Sequence, residues 1–180
     1  MPASLLAAAD CTLLIVDMQA RLLPAIHDGP AVLAAAMKLA RAARLLDVPV
    51  VGTEHQADKL GPTVPELAGE LRAVFPKHHF SAVREPGFEA WLPAARRTVL
   101  VAGCEAHVCV LQTALDLRQR GWHVVLVSDA SGSRRHADHH AATRRVRASG
   151  ADIVSSEMAI FEWLESCEHP RFREVLRLVK

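Results

Sequence analysis

Asp17 closes the apolar run Leu13-Leu14-Ile15-Val16. A carboxylate at the end of such a strand is buried or half buried, so its pKa can rise into the range useful for proton transfer. The other role open to an aspartate there is a helix cap or loop anchor. Cys109 falls in the first turn of the helix expected after Thr98–Ala102. Unpaired N–H groups and the helix dipole favour a thiolate at that place, and a buried small hydrophobe is the alternative. Lys77 lies in Pro76-Lys77-His78-His79-Phe80-Ser81, and a lysine in a loop is ordinarily a solvated charge.

These residues need a scaffold, and the hydrophobic pattern names one. Thr12–Val16, Val48–Gly52, Thr98–Ala102 and His123–Ser128 are short, β-branched and continuously apolar, as strands covered on both faces must be, and Asp152–Ser155 is a weaker fifth. Between them Ala31–Leu46 carries apolar residues at helical spacing, with Lys38, Arg41 and Arg44 left for solvent and Val48-Pro49 blocking its continuation. Further helices are expected near Phe88–Ala95, His107–Arg120, Asp138–Ser149, Glu157–Glu165 and Arg171–Leu178. The alternation predicts an α/β fold: a doubly wound, mostly parallel sheet flanked by helices on both faces. Ligands of such sheets bind beyond the carboxyl ends of the strands, which is where Asp17 and Cys109 stand. Glu54–Phe80, broken by Gly61-Pro62, Pro65 and Pro76, reads as a long excursion over the sheet, and such loops are often functional.

Composition narrows the function classes. A length of 180 residues predicts one domain spanning residues 1–180. The hydrophobic share of 51% and charged share of 23% exclude a disordered or collagen-like chain. Lys+Arg 21 against Asp+Glu 20 leaves a charge of +1, with no global field to draw in nucleic acid or anionic lipid, so a small-molecule substrate fits better. Met1–Ala9 lacks the basic start and apolar stretch of a signal peptide, and no run of 18 apolar residues exists, which predicts a cytoplasmic protein. Cys11, Cys104, Cys109 and Cys167 are too few and too irregular for a disulfide framework.

Three blocks, LLIVDMQ at the first strand, KHHFSAV after the long loop and GCEAHVCVLQTALDL after the third long strand, occur in the order used by isochorismatase-like cysteine hydrolases. The resemblance runs from Thr12 to about Leu164 and is closest to the isochorismatase-domain-containing branch, where TEH…LGPTVPEL and SSEMAIFEWL also have counterparts. It implies a Rossmann-like fold and a triad of Cys109 as nucleophile, Asp17 as general base and acid, and Lys77 as the cation that orients Asp17 and lowers the thiol pKa. It also implies an oxyanion hole from the backbones of Glu105 and Cys109, a cis peptide at Cys104-Glu105, no cofactor, and assembly into homodimers or larger homo-oligomers. An Asp–Lys pair supplies the base and the cation a thiol needs at neutral pH, so no catalytic histidine is required. The resulting expectation is metal-independent hydrolysis of a C–N bond in a small amide or related acyl compound through a thioester, with His55, Phe80 and His107 as pocket-lining candidates. The triad requires its three side chains in one pocket, with a thiol ionised well below the reference value of about 8.5.

The departures from the family patterns carry weight too. The nicotinamidase branch holds a metal with an Asp-x-His motif, where this chain has Thr53-Glu54-His55, so no metal is expected there. Isochorismatases that cleave a vinyl ether lack the nucleophilic cysteine, so Cys109 argues against that reaction. His136, His139 and His140 have a spacing that can share zinc, but Arg134, Arg135, Arg144, Arg145 and Arg147 make the region basic, and a solvated helix face is expected. That basic cluster alone does not make a nucleic-acid surface in a chain with three Trp, five Phe and a charge of +1. Cys11, Cys104 and Cys167 read as structural, although Cys104 is close enough in sequence to resolve an oxidised Cys109. The rival of a different class is a non-catalytic or redox-responsive small-molecule binding protein that keeps the hydrolase fold.

Overall fold

A computed structural model describes residues 5–180, so Met1–Ser4 of the N-terminal segment weighed above lie outside it. Its central element is β1 (Cys11–Val16), in which all six residues are buried because neighbours cover both faces. Successive side chains of a strand point to opposite faces. Leu13 and Ile15 accordingly enter the core formed with α1 (Gly29–Leu45) and the C-terminal helices, whereas Leu14 and Val16 enter a second core on the opposite face.

Around β1 the chain forms an entirely parallel six-stranded sheet with β2 (Val50–His55), β3 (Ala73–Lys77), β4 (Thr98–Cys104), β5 (His123–Gly132) and β6 (Asp152–Val154), in the order β3-β2-β1-β4-β5-β6. The winding reverses between β1 and β4, which makes the crevice past their carboxyl ends the place where a doubly wound sheet takes a ligand. The short helices α2 (Ala57–Leu60), α3 (Pro65–Ala68) and α4 (Phe88–Trp91) occupy the connections. Longer helices follow as α5 (Leu111–Gln119), α6 (His136–Ala148), α7 (Ser156–Leu164) and α8 (Phe172–Val179). Ser155 Oγ accepts from the Met158 N–H at 3.2 Å and caps the start of α7.

The expected strands and helices are all present, although the helix expected near Phe88–Ala95 is a single turn ending at Trp91, and three further differences have substance. Glu54–Phe80 is not an unstructured excursion, because it contains the end of β2, two helical turns and the edge strand β3. Pro76 reads as a breaker, yet an edge strand tolerates a residue that cannot donate to a neighbour it does not have. The stretch expected as one helix from His107 begins as a π-helical turn, Ala106–Val110, before α5. Finally, the apolar Phe161-x-Trp163-Leu164 of α7 is not a surface patch, because Trp163 and Leu164, with 2% exposure each, pack into the core.

Candidate active site

Asp17 follows β1 directly, and its φ of 50° turns the chain sharply out of the sheet. Aspartate is among the few non-glycine residues that adopt this left-handed conformation readily. The turn aims the carboxylate across the end of β2: Oδ1 accepts the Thr53 hydroxyl at 2.7 Å, and Oδ2 stands 2.7 Å from Lys77 Nζ. Lys77 is the last residue of β3, in register with His55 at the end of β2. Two strand spacings, about 10 Å, separate β3 from β1, and the Lys77 and Asp17 side chains reaching toward each other close that gap. Neither side chain of the pair is exposed. Lys77 Nζ also donates to the carbonyls of His79 and Phe80, both at 3.2 Å. The lysine expected in a loop is therefore a buried cation at a strand end.

β4 supplies the third group. Gly103, at φ 127°, lies beside Val16 in register, and any Cβ there would collide with the Val16 backbone. Only glycine lets the two strands close at this point. The Cys104-Glu105 peptide that follows is cis. Among the described residues the Glu105 N–H has no hydrogen-bond partner, while the Glu105 carboxylate is held by Arg134 Nε at 2.6 Å. Cys109, 6% exposed, sits within the π-helical turn with its thiol in hydrogen-bonding reach of both Asp17 and Lys77. The structure thus gathers Asp17, Lys77 and Cys109 at the β1/β4 switch point.

The electrostatics differ from expectation. Burial pushes the Cys109 thiol up to about 12, with the Asp17 charge adding to the rise and Lys77 opposing it. The resting thiol is protonated, not ionised as the residue types alone imply. Cys104, fully buried, is raised to about 12 by burial first and by Asp17 second. Cys167 is exposed.

His55 and Phe80 lie beside the pair, their ring centroids 5.5 Å apart, with Phe80 half exposed. Burial, and then the Lys77 ammonium, push the His55 imidazole below its ordinary 6.5. Gln19 fixes this segment by accepting the His55 N–H at 2.8 Å and donating to the His55 and Gly61 carbonyls at 3.1 and 2.6 Å. The loop carrying Phe80 is tied down by Glu85, whose Oε1 accepts the His78 and His79 N–H groups at 2.6 and 2.7 Å. Gln19, Thr53 and Glu85 thus serve the site without having been singled out as candidates. Gln19 belongs to LLIVDMQ and Thr53 to TEH, but nothing in either motif shows what these side chains touch. His107 turns its Nδ1 to Ser133 Oγ at 2.9 Å.

The candidate metal positions are otherwise engaged. Thr53 bonds Asp17, and Glu54 accepts both the N–H and the hydroxyl of Thr63 at 2.7 Å. His136 and His139 start α6 with ring centroids 6.5 Å apart, and His139 Nε2 is bonded to the Ser128 carbonyl at 3.0 Å. Among the described residues no helix is long and apolar enough to cross a membrane.

Residues 11–158 match the isochorismatase domain family. Mouse isochorismatase domain-containing protein 2A is 38% identical over 168 residues, covering 93% of this chain and 82% of its own. Human isochorismatase domain-containing protein 2 is 39% identical over the same shares. Among solved structures, MAR1 ribonuclease from Caenorhabditis elegans superposes with a TM-score of 0.92 at 35% identity, covering 98% of this chain and 92% of that one. YcaC from Pseudomonas aeruginosa, solved with hexane-2,5-diol and covalent acrylamide, superposes with a TM-score of 0.91 at 26% identity, covering 99% and 93%.

Proposed function

We propose, from the premise that this chain belongs to the isochorismatase domain family, that it is a cysteine-dependent hydrolase of a C–N bond in a small amide or related acyl compound. The observation that carries the reading is the fully buried Asp17–Lys77 pair set against the Cys109 thiol at the sheet's switch point. Two charges in the interior cost several kcal/mol each to desolvate, so a pair of this kind beside a thiol calls for a reason beyond stability.

A thiol raised by burial, with Asp17 in reach to take its proton, suits attack coupled to proton transfer. Cys109 attacks the carbonyl carbon as its proton passes to Asp17, while Lys77 holds the carboxylate in place. The tetrahedral oxyanion is met by the Glu105 and Cys109 N–H groups. Its collapse breaks the C–N bond, the Asp17 proton leaves with the amine, and a thioester remains on Cys109. Water then attacks the thioester, giving a proton to Asp17, and the second collapse releases the acid and returns that proton to sulfur. None of these steps draws on a metal or cofactor. In this reading His55, Phe80 and His107 line the pocket, with His107 Nδ1 bonded to Ser133 Oγ at 2.9 Å.

The name ribonuclease borne by the worm structure suggests RNA, but the small-molecule reading is better supported here. The chain carries +1, and the ammonium at the site already faces Asp17 and two carbonyls. The redox-responsive rival is weakened because both Cys104 and Cys109 are protonated thiols, whereas oxidation acts on thiolates. We further propose that residues 1–180 act as one domain, in the cytoplasm, as a homo-oligomer that covers the exposed Met158 and Phe161 of α7.

A screen over small amides, ureas and carbamoyl compounds, with mass spectrometry of the intact protein, tests the activity. Turnover with an acyl adduct on Cys109, both absent in Cys109→Ala, is the expected result. Turnover that survives Cys109→Ala overturns the reading.

A further inference from the structure

Among the described residues Lys77 is the cation that reaches the Cys109 thiol, and its donors are committed. An ammonium has three protons, and here two go to the His79 and Phe80 carbonyls while the third side faces Asp17. The carboxylates of the neighbouring loops are paired, Glu105 with Arg134, Glu54 with Thr63 and Glu85 with His79, while the Arg134 and Arg84 guanidinium groups lie at the exposed surface. A substrate carboxylate or phosphate set against the pair would meet the negative Asp17 and an ammonium with no donor to spare. Burying such a group unpaired is strongly unfavourable.

Several buried side-chain atoms among the described residues lack a hydrogen-bond partner, and an imidazole nitrogen beside the pair is one of them. His55 Nδ1 is buried and makes no hydrogen bond, although its backbone is clamped on both sides by Gln19 and its ring rests on Phe80. A buried nitrogen left unmatched costs about 1–3 kcal/mol, and a hydrogen bond from a bound molecule removes that cost. A neutral imidazole either donates or accepts at Nδ1, and so matches the N–H or C=O of an amide. Phe80, half exposed above it, offers an apolar face for the rest of a small molecule.

We infer that the site selects an uncharged carbonyl compound over one that carries an acid beside the reacting carbon, and that the His55 imidazole is the specificity-determining group. This rests on Cys109 being the nucleophile. Asp17 and Lys77 cancel each other, His55 brings hydrogen bonding without charge, and the pocket sorts substrates by the cost of stranding a second negative group.

Iodoacetamide and iodoacetate have nearly the same size and differ by an acid for an amide, so they test the selection without knowledge of the substrate. Their rates at Cys109 are compared by peptide mass spectrometry in the native protein, with the same cysteine in the urea-unfolded chain as reference. The expected result is a native amide-to-acid preference at least about tenfold above the unfolded one, equivalent to about 1.4 kcal/mol of discrimination. His55→Lys, which supplies a cation, is expected to reduce that excess, and His55→Gln to keep it. An equal preference in the native and unfolded chains overturns the inference while leaving the nucleophile in place. Failure of native Cys109 to react with either reagent, when the unfolded chain reacts, overturns the hydrolase reading and this inference with it.

Discussion

Lys77 Nζ stands 2.7 Å from Asp17 Oδ2 with both side chains out of solvent, and Lys77 bridges from the edge strand to the central one. Each member of the pair needs the other, because either one alone would be an uncompensated interior charge.

Lys77→Met therefore strands Asp17 as a buried anion. The expected loss is about 3–5 kcal/mol, which in a chain of this size lowers the melting temperature by roughly 6–20 °C. Thermal denaturation at neutral pH reads it. A midpoint within 2 °C of the parent would show that the pair is solvated and that the site is wetter than described.

Asp17→Asn separates proton transfer from thiol acidity. The substitution removes the charge that raises the Cys109 pKa and leaves Lys77, which lowers it, unopposed. The thiol becomes more acidic, so alkylation of Cys109 at pH 7 is expected to speed up, whereas amide turnover falls by about 10²–10⁴ for want of a base. Slower alkylation together with lost turnover would point instead to collapse of the pocket, and circular dichroism distinguishes that outcome.

The loop that carries Phe80 has a built-in acid limit. Burial alone would raise the Glu85 carboxyl, but the N–H groups of His79 and His78 and the His79 side chain outweigh it and hold the pKa at about 2, against 4.5 when free. A carboxyl with a depressed folded pKa stabilises above its free value and loses that contribution as the pH falls through the folded one. Protection of the His78 and His79 amides from hydrogen exchange, corrected for intrinsic rates, should hold above pH 4.5 and decay toward pH 2, ahead of the β4 amides. Glu85→Gln should show the decayed state at pH 7. Protection in that variant equal to the parent's would remove Glu85 as the anchor.

Gly103→Ala addresses the approach of β1 to β4. Its Cβ would meet Val16 backbone at a φ of 127°, so relief requires the strands to part at the catalytic end of the sheet. A loss of about 3 kcal/mol or more is expected, seen as a lower urea midpoint or as failure to accumulate folded protein. Stability within 0.5 kcal/mol of the parent would mean that the strands separate freely there.

Much of this protein is written locally. The apolar runs that become β1, β2, β4 and β5 are legible because a strand buried on both faces must be apolar at every position, and the long helices because their apolar residues repeat at helical spacing. Asp17 and Cys109 stand out for the same reason: each is a reactive side chain just past a buried strand. Lys77 does not, because β3 lies at the sheet edge, alternates in burial and contains Pro76, so its residues look like loop until β2 lies beside them. The thiol is the sharper case. Cys109, Asp17 and Lys77 considered as residue types predict an ionised sulfur. Folding instead withdraws that sulfur from water and sets a carboxylate as well as an ammonium against it, and the desolvation outweighs the cation. The residue types establish which groups are available for chemistry. The proton's resting place depends on burial and on distances between groups far apart in the chain, and only the tertiary structure decides those.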